Sequence, residues 1–79
     1  MKGKAEIREF IQGLLNGYGD DEPLSDEDPL LSSGRLQSID AVEIVMFVEQ
    51  NFGIDFSQIG FDRDRIDSIK AIHTLIQAQ

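Results

Sequence analysis

The chain has no cysteine and no tryptophan, and its 79 residues include one histidine. Without cysteine it forms no disulfide, and neither zinc-ligand spacings nor phosphate-cradling glycine motifs occur. It has no apolar run near the roughly 18 residues that a membrane span requires. Strand alternation, internal repeats and low-complexity tracts are also missing. These absences predict one small domain over residues 1–79, whose 41% hydrophobic residues must supply its modest stability.

Basic residues are scarce as well, since seven Lys and Arg face fifteen Asp and Glu, for a net charge of −8. Negative charge repels nucleic-acid phosphates and anionic membranes, which excludes both as expected partners. Proteins with basic patches are the favoured partners, because complementary charge speeds their encounter. The N-terminal residues lack the apolar segment of a signal peptide, so we expect a cytoplasmic protein.

Apolar residues at helical spacing predict a first helix from about Lys4 to Asn16. Its apolar face consists of Ile7, Phe10, Ile11, Leu14 and Leu15. Gly17 and Gly19 follow with helix-ending conformations. A long polar loop then runs to about Gln37, and we expect its leucines to hold it on the core: Leu30, Leu31 and Leu24.

The second half of the chain predicts three further helices. One covers about Ser38 to Asn51 and ends before Gly53. A short helix or turn is expected near residues 58–65, although Gly60 weakens a helix there, and a last helix begins at an Asp67 or Ser68 cap. Its apolar side carries Ile69, Ile72, Leu75 and Ile76. The predicted fold is all-α, a small four-helix bundle of three long helices and one short one.

The second predicted helix carries two apolar arcs, because its apolar residues do not form one stripe at about 100° per residue. The first arc contains Ile44, Val45, Val48 and Phe52, and the second contains Ile39 and Met46. Residues of the second arc either lie under neighbouring loops or form an exposed docking surface ringed by Asp40, Glu43 and Glu49. We favour the docking surface. Phe47 lies outside both arcs, either under the long loop or on a contact surface.

Ser38 lies where the long loop meets this helix. Serine is a common helix cap, since its oxygen accepts a backbone N–H. Asp40 with Glu43 forms an equally good capping pair, which shifts the helix start by two residues. No Gly-x-Ser-x-Gly turn surrounds Ser38, and His73 is the only histidine, so a catalytic triad is rejected. A calcium loop at residues 62–73 is rejected too, because it lacks the required glycine and glutamate.

From Leu36 to Phe56 the chain resembles the acyl carrier proteins, and its length and predicted helix order agree with that family nearly throughout. Family members have an Asp-Ser-Leu-Asp type of core, followed by a valine, a glutamate, an aliphatic pair and a methionine, with a later glutamate before a phenylalanine. The matching residues are Ser38-Ile39-Asp40, Val42-Glu43-Ile44-Val45-Met46, Glu49 and Phe52.

The resemblance implies a non-enzymatic carrier that acts as a monomer. A phosphopantetheinyl transferase would move 4′-phosphopantetheine from coenzyme A to Ser38, and the thiol of this arm would hold acyl, aminoacyl or polyketide groups as thioesters. Acyl-loading and acyl-transferring enzymes with basic docking patches would be the other partners. The implied partner-binding residues are Ile39, Asp40, Val42, Glu43, Met46, Glu49 and Phe56.

The chain departs from the family at two places. Gln37 replaces the aspartate that commonly precedes the serine, and residues 29–35 are more similar to specialised stand-alone carriers than to fatty-acid carriers. Arg35 is expected to bring a positive charge next to the site. The alternative function is an unmodified acidic adaptor that docks a partner through its second helix while Ser38 serves only as a cap.

Overall fold

Five helical segments follow one another in the computed structural model, which describes residues 3–78, and no strand lies among these residues. The segments are α1 (Lys4–Gly17), α2 (Ser38–Phe52), α3 (Phe56–Ile59), a 3₁₀ helix (Arg63–Ile66) and α4 (Ile69–Gln77). The expectation of a small all-α bundle is confirmed. None of the helices in this part of the chain has both the length and the hydropathy needed to cross a bilayer.

Helix α1 buries the apolar face that its spacing predicts, with Ile7, Ile11 and Leu15 at most 1% exposed. At its start, the Glu6 carboxylate accepts a hydrogen bond from the backbone N–H of Gly3 at 2.8 Å. Gly19 follows the last turn with a φ of 75°, a left-handed conformation that glycine adopts without steric cost. The predicted bounds of this helix are therefore confirmed to within a residue.

The long connection from α1 to α2 is held on the core by leucines, as expected. Leu30 and Leu31 are 0% and 4% exposed, Leu36 is 2% exposed, and Leu24 packs against the core from its edge. Apolar burial of this size offsets the conformational entropy lost by ordering an irregular segment. The connection therefore forms part of the packed structure and fixes the chain that leads into α2.

Asp67, which lies between the 3₁₀ helix and α4, clamps this connection. Its carboxylate accepts hydrogen bonds from the N–H of Leu31 at 2.6 Å, from the N–H of Ser32 at 3.0 Å and from the Ser32 hydroxyl at 2.6 Å. The Asp67 carbonyl accepts the N–H of Leu30 at 2.7 Å. Burial opposes ionisation here, but these hydrogen bonds prevail and lower the pKa of Asp67.

The connection is also tied to α1 by charge. Asp26 forms ion pairs with Lys4 at 3.1 Å and with Arg8. Arg8 also donates to the carbonyl of Leu24 at 2.6 Å. These hydrogen bonds from Arg8 and Lys4 lower the pKa of Asp26, because both favour its charged form.

The segment after α2 differs from the prediction of a single short helix or turn over residues 58–65. It contains two separate turns, because α3 ends at Ile59 and Gly60 follows with a φ of 80°. The Asp62 side chain then starts the 3₁₀ helix by accepting the N–H of Asp64 at 3.0 Å. The predicted Ser68 cap of α4 is confirmed, since its hydroxyl accepts the N–H of Ala71 at 3.0 Å.

Phe47 has a definite place on the α1 side of α2. Its ring stacks on that of Phe10 with centroids 4.2 Å apart, and it meets Phe52 edge to face at 6.0 Å. Ring pairs at these distances are favourable beyond the area that they bury. Phe47 is therefore a partly buried edge of the core, covered by α1 and not by the long loop.

Candidate functional site

Ser38 is the first residue of α2, and its side chain is exposed to solvent. The N-cap is Gln37, whose extended backbone has a φ of −99° and a ψ of 170°. The interpretation of Ser38 as the helix cap is therefore wrong, because the cap lies one residue earlier. The hydroxyl stands in the first turn, where backbone N–H groups lack partners within the helix.

Asp40 does not belong to an exposed partner surface, contrary to the prediction, because it is only 4% exposed. Its carboxylate accepts the Tyr18 hydroxyl at 2.6 Å and the N–H of Gln37 at 2.8 Å. An aspartate in the first helical turn also favours the positive end of the helix dipole. Asp40 thus fixes the start of α2 two residues from Ser38, and the hydrogen bond that it accepts raises the pKa of Tyr18.

Arg35 does not supply a free positive charge near Ser38, although its sequence position suggested one. Its guanidinium donates to Asp20 at 3.0 and 3.2 Å, lies 3.6 Å from the Asp28 carboxylate, and contacts the carbonyls of Glu22 and Pro23. The hydrogen bond from Arg35 lowers the pKa of Asp20 and, reciprocally, raises that of Arg35. Its positive charge is therefore neutralised by the carboxylates of Asp20 and Asp28 within the long connection.

An apolar pocket of about 420 Å³ opens beside Ser38, between α2 and the segment that follows α2. Its volume lies within the range of pockets that hold small ligands. Two lining residues are polar or charged, Ser38 and Arg63. The remaining lining residues are apolar: Ala41, Val42, Val45, Phe56 and Phe61.

Phe56 is a wall of this pocket and not a partner-binding residue of the surface, since it is only 8% exposed. The predicted surface role is wrong because the ring packs into the core. Glu49 is half-buried, and its carboxylate accepts the N–H of Phe56 at 3.3 Å. These two residues hold α3 against the C-terminal half of α2.

The remaining residues of the predicted docking surface are exposed on α2. Ile39 is 61% exposed, Val42 is 52% and Met46 is 47%, and Glu43 is exposed beside them. The interpretation that Ile39 and Met46 lie under loops is therefore wrong. Since residues three and four positions apart are neighbours on a helix, these side chains form one continuous exposed face, which we call the α2 docking face after its predicted role.

Three residues near the site escaped the sequence analysis. Tyr18 carries no local signal for its bond to Asp40, which joins positions 22 residues apart. Phe61 and Arg63 follow Gly60 in a segment without clear periodicity. The left-handed turn at Gly60 precedes both residues, and both line the pocket beside Ser38.

Comparisons with known proteins identified no relative of this chain. No protein-family model matches it, and neither the curated proteins nor the solved structures gave a match. The site must therefore be interpreted from its own chemistry.

Proposed function

We propose that the chain is an acyl carrier protein that receives 4′-phosphopantetheine on Ser38. The observation that carries the proposal is an exposed hydroxyl at the start of a long helix, next to an apolar pocket of about 420 Å³. Ser38 has no neighbouring base among the lining residues, so it is suited to bear a group and not to attack a substrate. The motif from Leu36 to Phe56 agrees with this role.

The residues around Ser38 fit a phosphodiester-linked arm. A phosphate at the first turn of α2 would lie near N–H groups and the positive end of the helix dipole, both of which stabilise negative charge. The apolar walls of the pocket suit an aliphatic chain better than a charged one. When attached, the arm supplies a terminal thiol that carries acyl groups as thioesters, while the protein supplies placement and shelter.

Attachment needs coenzyme A and a transferase as partners. The Ser38 oxygen forms a bond to the phosphorus of the pantetheine arm as the bond from that phosphorus to adenosine 3′,5′-bisphosphate breaks. The hydroxyl proton leaves to a base of the transferase, because the pocket residues supply none.

The α2 docking face is the surface that the transferase and the acyl-handling enzymes would contact. It combines exposed Ile39, Val42 and Met46 with the carboxylate of Glu43. An apolar centre with charge beside it is typical of protein interfaces, and the net charge of −8 favours partners with basic patches.

Modification is tested by incubating the protein with coenzyme A and a broad-specificity phosphopantetheinyl transferase. Intact-protein mass spectrometry should show one added arm, and Ser38→Ala should show none. Ser57→Ala is the matched control, since Ser57 is an exposed serine in the first turn of another helix. Circular dichroism confirms that both variants remain folded.

The docking face is tested with charge changes at two positions of α2. Met46→Glu should lower the transferase kcat/KM by about tenfold, the effect of losing a central interface contact. Gln50→Glu adds the same charge at another exposed position of the same helix and should change this value little. Equal effects of the two variants would show that charge alone, and not the apolar face, governs the encounter.

The exposed apolar face also favours a second candidate, an unmodified acidic adaptor. Such a protein would dock a partner through α2 without using Ser38. Failure of several transferases to modify the folded protein would support the adaptor and overturn the carrier.

A further inference from the structure

We propose that Arg63 is a positioning residue that binds the phosphate of a group attached to Ser38, a role that rests on the proposed carrier function. The proposal rests on the observation that Ser38 and Arg63 line the same apolar pocket although 24 residues lie between them in the sequence. Arg63 is the charged residue of a pocket whose other walls are aliphatic or aromatic.

Arg63 differs from Arg8 and Arg35, because it has no acidic partner in the part of the chain that the structure describes. Arg8 is paired with Asp26 and Arg35 with Asp20, whereas Arg63, like Arg65, forms no ion pair with any residue in the range 3–78. In a chain with fifteen carboxylates, a cation without an acidic partner is available to an incoming anion.

Two hydrogen bonds anchor the segment that carries Arg63 at its two ends. At one end, the Phe56 N–H is bound to Glu49 in the C-terminal half of α2. At the other end, Asp67 binds Leu31 in the connection that leads to Ser38. Arg63 lies between these two anchors and lines the pocket together with Ser38.

The chemistry of this pocket favours a phosphate at Ser38 over a carboxylate at the far end of a cargo. A phosphate joined to the Ser38 oxygen lies at a fixed place near the first turn of α2, and the guanidinium fork matches its oxygens. A cargo carboxylate would have to enter among Val45, Phe56 and Phe61, where desolvation of a charge is costly.

The test compares Arg63→Gln with Arg65→Gln in the phosphopantetheinylated protein. Both variants remove one positive charge from the same 3₁₀ helix, but Arg65 lines a different surface pocket. The ³¹P resonance of the phosphodiester should shift in Arg63→Gln and stay near the wild-type position in Arg65→Gln. Attachment of the arm should also move the Arg63 side-chain N–H resonance, and Arg63→Lys should restore part of the ³¹P shift.

The outcomes separate this proposal from the carrier function. Normal attachment with the same ³¹P spectrum in both Gln variants would overturn the role of Arg63 and leave the carrier intact. A response of Arg63 only when the arm bears a succinyl group, and not an acetyl group, would assign Arg63 to a cargo carboxylate and overturn the phosphate proposal. Absence of any attachment would overturn both.

Discussion

The two connections that flank α2 are held in different ways. The connection before α2, residues 18–37, is fixed by buried leucines, by the Asp67 clamp and by the Arg35 ion pairs. The segment after α2, residues 53–68, buries Ile54, Phe56 and Ile66 but leaves Phe61 and Arg63 exposed. The first connection positions the start of α2 with Ser38, and the second builds the opposite wall of the pocket.

The two connections also differ in how their arginines are bound. Arg35 lies three positions from Ser38 in sequence but is bound by two aspartates. Arg63 is remote in sequence but shares the pocket with Ser38. Stability should therefore respond to changes in the first connection and at Asp67, which holds it, and ligand properties to changes at the exposed residues Phe61 and Arg63.

The largest effect on stability is expected from Leu30→Ala. Leu30 is fully buried, and truncating a buried leucine costs about 2–5 kcal/mol of unfolding free energy because it leaves a cavity. Phe61→Ala, in the second segment, should change that free energy by less than about 0.5 kcal/mol, since the ring is 54% exposed. Urea unfolding measures the free energy of both variants. A larger loss of unfolding free energy in Phe61→Ala than in Leu30→Ala would contradict the proposed difference between the two connections.

A smaller loss is expected from Asp67→Ala, which removes an acceptor of three hydrogen bonds from the first connection. The cost should be about 1 kcal/mol, because solvent partly replaces these bonds at a half-exposed site. Asp64→Ala is the control, since Asp64 is exposed and neighbours the same turn. Hydrogen exchange should also quicken at Leu31 and Ser32; unchanged protection there would contradict the clamp.

Arg35→Gln should lower the thermal midpoint by less than Asp67→Ala does, because partly exposed ion pairs contribute little each. Arg63→Gln should leave the midpoint of the unmodified protein unchanged, since no ion pair is lost within residues 3–78. Thermal unfolding followed by circular dichroism compares the two. A midpoint that falls equally in both variants would remove the distinction between the arginines.

Acid should weaken the first connection gradually. Three aspartates of this connection have a lowered pKa, because Asp20 accepts hydrogen bonds from Arg35, Asp26 from Arg8 and Asp28 from Ser25. The pKa of Asp67, which holds the connection, is lowered as well. Because these pKa values lie below the ordinary 3.8 in the folded state, their stabilisation is full above 3.8 and disappears as the pH falls through the folded values. Relief of the −8 net charge acts in the opposite direction.

Urea midpoints measured from neutral pH to about pH 3 test this sign. Substituting Asp26→Asn should flatten the decline below 3.8, because one carboxylate with a lowered pKa is removed. Stability that increases steadily on acidification would show that charge relief outweighs the ion pairs of the connection.

Helical periodicity was sufficient to predict α1, α2 and α4, since each buries one regular apolar face. The exposure of Ile39 and Met46 was also predictable, because one helix cannot bury two opposed arcs in so small a bundle. The division of residues 56–66 into two separate turns could not be predicted, since each turn is only four residues long and is too short to show a helical pattern of apolar residues.

The pocket could not be predicted from sequence for a related reason. It depends on long-range contacts that bring Phe61 and Arg63 to Ser38, and no local spacing encodes them. The burial of Asp40 depends likewise on Tyr18, a partner in another element. Ser38 and Asp40 both lie on a helix that was correctly predicted, but tertiary packing decides which residues surround them.

The proposed carrier function depends on the Ser38 hydroxyl as an attachment point. The most direct test is peptide mapping after reaction of the folded protein with coenzyme A and a transferase. We expect one phosphopantetheine per molecule, located on the peptide that contains Ser38. An unmodified chain with several active transferases, or an arm attached to another serine, would contradict the account.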